Sequence, residues 1–343
     1  MQIRSVEIDL GKTTFHLVAL ADNGKVLLKK KFSQKQLIAF TANLQTSLIG
    51  MEACSGAHFL GRALRSQGHD VKLISAQFVK PFVKSNKNDF IDAEAIAEAV
   101  DPHNMRFVPI KTDDQLDLQA LHHVGDRLIA RRTSVINQIR AFLLERSLVF
   151  AKSPIRLKEA ILAVLENADE NLTPRMRNLV AMLWREWKDL ELQMVEMNDE
   201  VERIASSDAA CIRLRQIPGI GPLVATAIVA SIGNGAAFQK GREFAALMGL
   251  VPRQHSTGDK AKLYGISKRG NCYLRKILVH GARAVVLRSK RDRIAMGTWL
   301  TALETRAPRN VLNIAMANKL ARIAWAVLST GQDYRAAPNA IAA

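Results

Sequence analysis

Strand-forming sequence is confined to the first third of this chain, which limits the fold to a mixed α/β part followed by a helical one. Arg4 to Asp9 alternates apolar and polar residues, and Thr14 to Leu20 is β-branched and apolar. Asp22-Asn-Gly24 is a turn signal, and Val26 to Phe32 makes a third strand, so the segment reads as a meander. A short apolar run, Ser47 to Met51, ends at Glu52. A helical pattern then covers His58 to Ser66, Val71 to Ile74 is a further strand, and a helix runs from about Asp89 to Val100. From about Asp113 the strand signals stop.

Three antiparallel strands followed by strands alternating with helices is the order of a ribonuclease H-like fold, and other mixed sheets share the pattern. Beyond it, Leu116 to Arg146 is long, helical and basic. Thr173-Pro174 is a helix start, Thr as N-cap and Pro in the first turn. Apolar residues then fall at Leu183, Trp187, Leu190, Met194, Met197, Val201 and Ile204, a heptad seam of the coiled-coil kind. Such a seam packs either on Leu116–Arg146 of the same chain or on another subunit. If it joins subunits, charged residues at Leu190 and Met197 should yield folded monomers. From about Ser206 the chain is helical with glycine-rich punctuation, and the last eight residues are an Ala/Pro-rich loose tail. The expected organisation is an α/β domain at 1–112, a helical coiled-coil spacer at 113–205, a mainly α domain at 206–335 and the tail at 336–343.

The 343 residues carry 49 Lys+Arg against 32 Asp+Glu, a net charge of +17, with a pI near 10.1. That field gathers polyanions, so nucleic acid is the expected partner. No stretch reaches 18 uninterrupted apolar residues, and Ile314 to Leu328 is broken by Asn318, Lys319 and Arg322, which argues against a membrane. Arg4, Glu7 and Asp9 stand where a signal peptide would be apolar. Three distant cysteines (Cys54, Cys211, Cys272) form no CxxC pair and fit a reducing bacterial cytoplasm, with the protein associated with the nucleoid.

Four acids carry the candidate chemistry. Asp9 ends the first strand in Asp-Leu-Gly-Lys12, Glu52 ends the fourth, and Asp89 and Asp92 share one face of a helix start. Carboxylates gathered at adjoining strand ends raise each other's pKa and call for a cation. Hard oxygen ligands favour Mg²⁺ or Mn²⁺, in the arrangement that activates phosphodiesters. Each acid taken alone reads equally as a cap or a solvated residue.

Ile217-Pro-Gly-Ile-Gly-Pro222 before an apolar helix, Leu223 to Ile232, resembles a helix-hairpin-helix turn. The amides around Gly219 and Gly221 could hold a phosphate, and the same residues suit a plain αα corner. Lys240 to Lys290 holds twelve Lys+Arg against Glu243 and Asp259, a net of +10. Within it, Pro252 to Gly258 and Gly265 to Asn271 read as loops ahead of a helix from Tyr273 to Leu287. Arg253, Lys260, Lys262, Lys268, Arg269 and Arg275 there are candidate phosphate contacts. Ser256 lies among them. Composition alone makes it a turn-capping serine, because a serine attacks only when a base, a metal or dense positive charge stabilises its alkoxide.

Together the motifs Asp-Leu-Gly-Lys, Met-Glu-Ala-Cys-Ser-Gly, Lys-Asn-Asp-Phe-Ile-Asp-Ala-Glu and Gly-Leu-Val-Pro-Arg-Gln-His-Ser-Thr-Gly…Gly-Ile-Ser-Lys-Arg-Gly-Asn resemble the DEDD transposases of insertion sequences. That is the family of the Piv invertase and of the bridge-RNA-guided recombinases, and the match runs in order from about residue 4 to about residue 335. The resemblance implies a RuvC-like N-terminal domain with Asp9, Glu52, Asp89 and Asp92 as ligands for Mg²⁺ or Mn²⁺. It implies a C-terminal transposase domain whose serine attacks DNA, here Ser256, with Thr257 replacing the commoner second serine and open as a substitute in the role. It also implies donor and target DNA as substrates and a structured guide RNA as partner.

The function expected is therefore site-specific recombination of an insertion sequence through a phosphoserine intermediate. Several active sites are needed for cuts on two DNAs, so a dimer or tetramer is expected. Ser256 and the acids, between 164 and 247 positions apart, would act in one composite site. The rivals are a RuvC-like junction nuclease that uses water, and a non-catalytic nucleic-acid-binding protein on a dead scaffold.

Overall fold

The computed structural model describes residues 3–82, 89–100, 105–167, 172–258 and 260–335; the side chains of Asp89 and Ile91, Asp259 and the tail at 336–343 lie outside the described residues. The chain forms two compact units, Met1–Asp114 and Gln115–Ala343.

The first unit is a six-stranded mixed sheet. In chain order its elements are β1 (Ile3–Leu10), β2 (Phe15–Ala21), β3 (Val26–Phe32), α1 (Gln34–Thr41), β4 (Leu48–Glu52), α2 (Ala57–Ser66), β5 (Asp70–Ile74), α3 (Ala76–Val79), α4 (Asp89–Val100) and β6 (Phe107–Val108). The spatial order is β3-β2-β1-β4-β5-β6. The first three strands are antiparallel, β1, β4 and β5 run parallel, and β6 closes the edge antiparallel. Gly24, at φ +75°, makes the hairpin between β2 and β3. Ser33 starts α1 with a capping box shared with Gln36.

Alternation sorts the side chains onto two faces. Val6, Ile8, Ile49 and Met51 pack with Leu60 and Leu64 of α2 in one core. On the other face Ile96, Ala99 and Val100 of α4 join Ile74 and Val79 in a second core. Gly50 sets how closely α4 lies on β4. A Cβ there would stand 2.5 Å from Val100 Cγ2 and 3.1 Å from Ile96 Cγ2.

The second unit contains α5 (Asp113–Leu144, beginning two residues before the unit boundary), α6 (Pro154–Glu166), α7 (Pro174–Ser207), α8 (Ala209–Arg215), α9 (Pro222–Ile232), α10 (Gly241–Leu247), β7 (Pro252–Thr257), β8 (Lys260–Ile266), α11 (Cys272–Arg288), α12 (Gly297–Glu304) and α13 (Arg309–Thr330). Thr173 caps α7 through the Met176 amide. The heptad seam packs inside the chain: Trp187 and Leu190 are buried with Ile136, Ile139 and Leu143 of α5, and Leu183, Met194 and Met197 pack against the same cluster. A charge at Leu190, 2% exposed, would break this helical hairpin rather than separate folded subunits, so the expected monomer test does not apply there.

A second core gathers α8 to α13. By length and composition α13 could cross a membrane, yet half of its apolar window is buried in that core. His122 on α5 ties the core to the helical hairpin. Thr226 gives its hydroxyl proton to the Pro222 carbonyl (2.8 Å), so His122 Nε2 donates to Thr226 Oγ1 (3.0 Å). Its Nδ1 then accepts from the Tyr273 hydroxyl (2.9 Å). Burial, with His123 adding to it, lowers the His122 ring to about 4. The unfolded chain takes up this proton near pH 6.5 and the folded one only near pH 4. Stability therefore falls as pH drops through that window, by on the order of 3 kcal/mol at its foot. Urea unfolding of wild type and His122→Gln between pH 4 and 7 should show this component in wild type only.

Candidate active site and nucleic-acid interface

The parallel pairing of β1 with β4 brings two of the acids together. Ile8 is paired with Met51, so the next residues, Asp9 and Glu52, end neighbouring strands on the face covered by α4. Because Gly50 lets α4 lie close, Asp92 near its start comes within electrostatic range. The Glu52 carboxyl is raised from its ordinary value, first by burial and then by the charges of Asp9 and Asp92, with Lys80 opposing. Burial, Glu52 and Asp9 likewise raise the Cys54 thiol. Asp89 begins the same helix, but its side chain lies outside the described residues. Among the described residues no three His, Cys, Asp or Glu side chains already converge into a metal cage. The donor set is nonetheless all carboxylate and self-repelling, a chemistry that fits a hard divalent cation.

Glu7 was missed at the sequence level. It is two residues before Asp9 on the same face and 1% exposed. Burial pushes its carboxyl up to about 7. The sequence signal was its place in an alternating strand that is buried on both faces.

Ser256 sits on the exposed β7–β8 hairpin, where loops were expected. Gly258, at φ +51°, turns the chain after Thr257, and Thr257 pairs with Lys260, Ser256 with Ala261, and His255 with Lys262. Alternation puts Gln254, Ser256, Ala261 and Leu263 on one face, and His255, Thr257, Lys260 and Lys262 on the other. His255 accordingly meets Tyr264 edge-on at 6.2 Å, and Lys262 stands over the same ring at 5.5 Å. Lys260 and Lys262 thus lie on the face of the ribbon opposite Ser256. What does touch it is Gln254, whose Nε2 donates to Ser256 Oγ at 2.7 Å. That bond leaves the hydroxyl proton free to go elsewhere and would stabilise negative charge on the oxygen. Spacing of two along a strand was the signal that could have found it.

The Gly265–Asn271 segment is held on α10 through its backbone. The amides of Ser267, Lys268 and Asn271 donate to the carbonyls of Val251, Gly249 and Leu247. Gly249 and Gly270 permit this approach, since a Cβ on either would fall about 2 Å from a carbonyl oxygen. Lys268 is held at φ +55°, a conformation that such surroundings must impose on a non-glycine residue. Arg275 donates to the carbonyls of Met248 (2.8 Å) and Arg269 (3.3 Å), so its guanidinium clamps the segment rather than reaching outward. Arg253, Lys268 and Arg269 are exposed. In the Pro-Gly-Ile-Gly-Pro turn the roles divide. Gly219 packs on α11, where a Cβ would meet Val285 Cγ2 at 2.5 Å, while exposed Gly221 caps α9.

The family comparisons agree with this division. Residues 6–147 match a model described as a transposase, of the DEDD type, and residues 211–296 match the transposase IS116/IS110/IS902 family. The transposase for insertion sequence element IS1328 of Yersinia enterocolitica is 43% identical over 96% of this chain and 98% of its own length. That for IS1111A of Coxiella burnetii is 40% identical over 97% and 92%. A pilin gene-inverting protein of Moraxella bovis is 23% identical over 96% and 97%. The DEDD domain implies a ribonuclease H-like fold for the sheet unit and use of a divalent metal. With four acids in DEDD order and two relatives at 40% identity or more along nearly their whole length, the chain belongs to the IS116/IS110/IS902 family of insertion-sequence transposases.

Proposed function

We propose that this transposase is a site-specific recombinase that moves its element through a phosphoserine link made by Ser256, with Asp9, Glu52, Asp89 and Asp92 holding Mg²⁺ or Mn²⁺. The observation that carries the reading is the placement of Glu52 beside Asp9, at the ends of adjacent parallel strands, and within electrostatic range of Asp92 on α4. When bound, the cation supplies Lewis-acid polarisation of the scissile phosphate and its attacking hydroxyl. Ser256 Oγ forms a bond to phosphorus and a deoxyribose oxygen leaves, taking a proton. A free deoxyribose hydroxyl of another strand then attacks the same phosphorus, and Ser256 leaves and regains its proton. One phosphodiester is exchanged for another, so no nucleotide triphosphate is needed. Gln254 steadies the oxygen in both steps.

The organisation that suits this chemistry is a RuvC-like domain at 1–112, a helical spacer at 113–205 and a transposase domain at 206–335, acting as a dimer or tetramer in the cytoplasm. The pilin gene-inverting relative, by its name, inverts a gene, which supports recombination over simple hydrolysis. Arg253, Lys268, Arg269 and the amides near Gly221 bind phosphates without reading bases. Sequence readout then falls to a structured guide RNA of the element. A single RNA species should be recovered and sequenced from the purified protein, and recombination of the element's ends in vitro should require it. Recombination with protein and Mg²⁺ alone would remove the RNA from the reading.

Binding should weaken steeply with salt, because each neutralised phosphate releases counterions. Lys268→Ala with Arg269→Ala should flatten the slope of log K against log salt by about one per lost contact. An unchanged slope would reduce that loop to a solvated face.

A further inference from the structure

A cleft of about 1120 Å³ opens at the root of the β7–β8 hairpin and takes its walls from Tyr264, Trp299, Asn310, Asn318, Lys319 and Arg322, among others. It is larger than side-chain packing defects and slightly above the usual range of small-ligand sites, about 300–1,000 Å³. Its surface is mainly apolar, and no acidic residue lines it. Two cations stand in it unneutralised: among the described residues neither Lys319 nor Arg322 has an ion-pair partner. Lys319 Nζ lies 4.1 Å from the centroid of the Trp299 ring. Burial, with Arg322 adding to it, lowers its ammonium from the ordinary value. A half-dehydrated cation on an aromatic face is a ready partner for an anion carried by a planar group.

We propose that this cleft receives an unpaired nucleobase of the DNA strand being cut, held beside the hairpin that presents Ser256. Three observations favour a base over the apolar side chains of a protein partner. Tyr264, 43% exposed, and Trp299 offer rings on which any base can stack. Asn310 and Asn318 bring amides of the kind that pair with base edges; the Asn318 NH₂ already donates to the Leu250 carbonyl at 3.2 Å. Lys319 and Arg322 supply charge for the phosphate attached to that base. The hairpin carries both groups: Tyr264 and Ser256 belong to its two strands, on opposite faces of the ribbon. Extruding one nucleotide would unstack the duplex at the crossover and free the strand end to swap.

The inference rests on the reading of the hairpin as the DNA-facing element, so its test avoids catalysis. Full-length Ser256→Ala protein, without metal, is titrated with a four-nucleotide thymidine oligonucleotide, its abasic counterpart with the same phosphates, and its RNA equivalent, following tryptophan fluorescence. The DNA oligonucleotide should quench tryptophan emission from the cleft, which Trp299 and Trp325 both line, and bind roughly tenfold or more tighter than the abasic one. Tyr264→Ala, at an exposed position, should remove most of that difference, whereas Lys319→Gln, half-exposed, should weaken both strands and leave the difference. A DNA carrying 5-iododeoxyuridine at the crossover should crosslink to Tyr264 or Trp299. Equal binding of the abasic strand, tighter binding of RNA, or a crosslink of Tyr264 to a second copy of the chain would each overturn the proposal. If base binding holds while Ser256→Ala protein recombines normally, the cleft stands and the serine mechanism falls.

Discussion

Asp9→Ala and Glu52→Ala should each abolish strand exchange while the sheet unit stays folded. Losing a partner behind a metal ligand typically costs about 10- to 100-fold, so losing a ligand itself should cost more. Stability should move the other way. Glu52 is held by neighbours of its own sign, its carboxyl raised by burial and by Asp9 and Asp92, so removing one member relieves repulsion. In metal-free buffer the variants should melt at or slightly above the wild-type Tm. Adding Mg²⁺ should raise the wild-type Tm, because the cation binds only the folded state, and should leave the variants unmoved. Full recombination by either variant would sink the metal assignment, whatever the melting curves show.

The acids were legible in sequence because each sits at a recognisable boundary: the end of a strand or the start of a helix. Their gathering at adjoining strand ends was expected as well, but how near they come depends on the β1–β4 register and on how closely α4 approaches at Gly50. Glu7 escaped because alternation was read as apolar inside and polar outside. That rule holds for half-solvated antiparallel strands and fails for a central strand covered on both faces. The β7–β8 hairpin escaped for the opposite reason. An exposed two-stranded ribbon buries neither face, so it leaves no hydrophobic period to read, and its Pro, Gly and Lys residues imitate a loop. The heptad seam was plain in sequence, but the same pattern serves a partner within the chain or outside it. Only the packing of Trp187 and Leu190 against α5 decides between them for these residues.

Ser256→Ala should bind DNA as the wild type does and form no covalent protein–DNA adduct, with recombination down by at least about 10⁴-fold, as for loss of other serine nucleophiles. Ser256→Cys could keep a trace of activity, since a thiolate also attacks phosphorus. Thr257→Val should retain activity, because strand alternation turns Thr257 away from the face that carries Ser256 and Gln254. That contrast is what separates the two hydroxyls, which sequence alone left open. Serine and acids also explain one another chemically. Among the described residues the serine has no neighbouring base: His255 faces the other side of the hairpin, and the Gln254 amide, which donates to Ser256 Oγ, is not basic. Carboxylates with a cation, for their part, need no serine unless hydrolysis is to be avoided. A protein hydroxyl in place of water keeps the phosphodiester's energy for rejoining. Mixing Asp9→Ala protein with Ser256→Ala protein then asks whether the two contributions can come from different copies of the chain. Restored adduct formation would mean that they can, and none would mean that each copy must supply both. Normal recombination by Ser256→Ala would pass the role to Thr257 or to water, and the phosphoserine mechanism would fail.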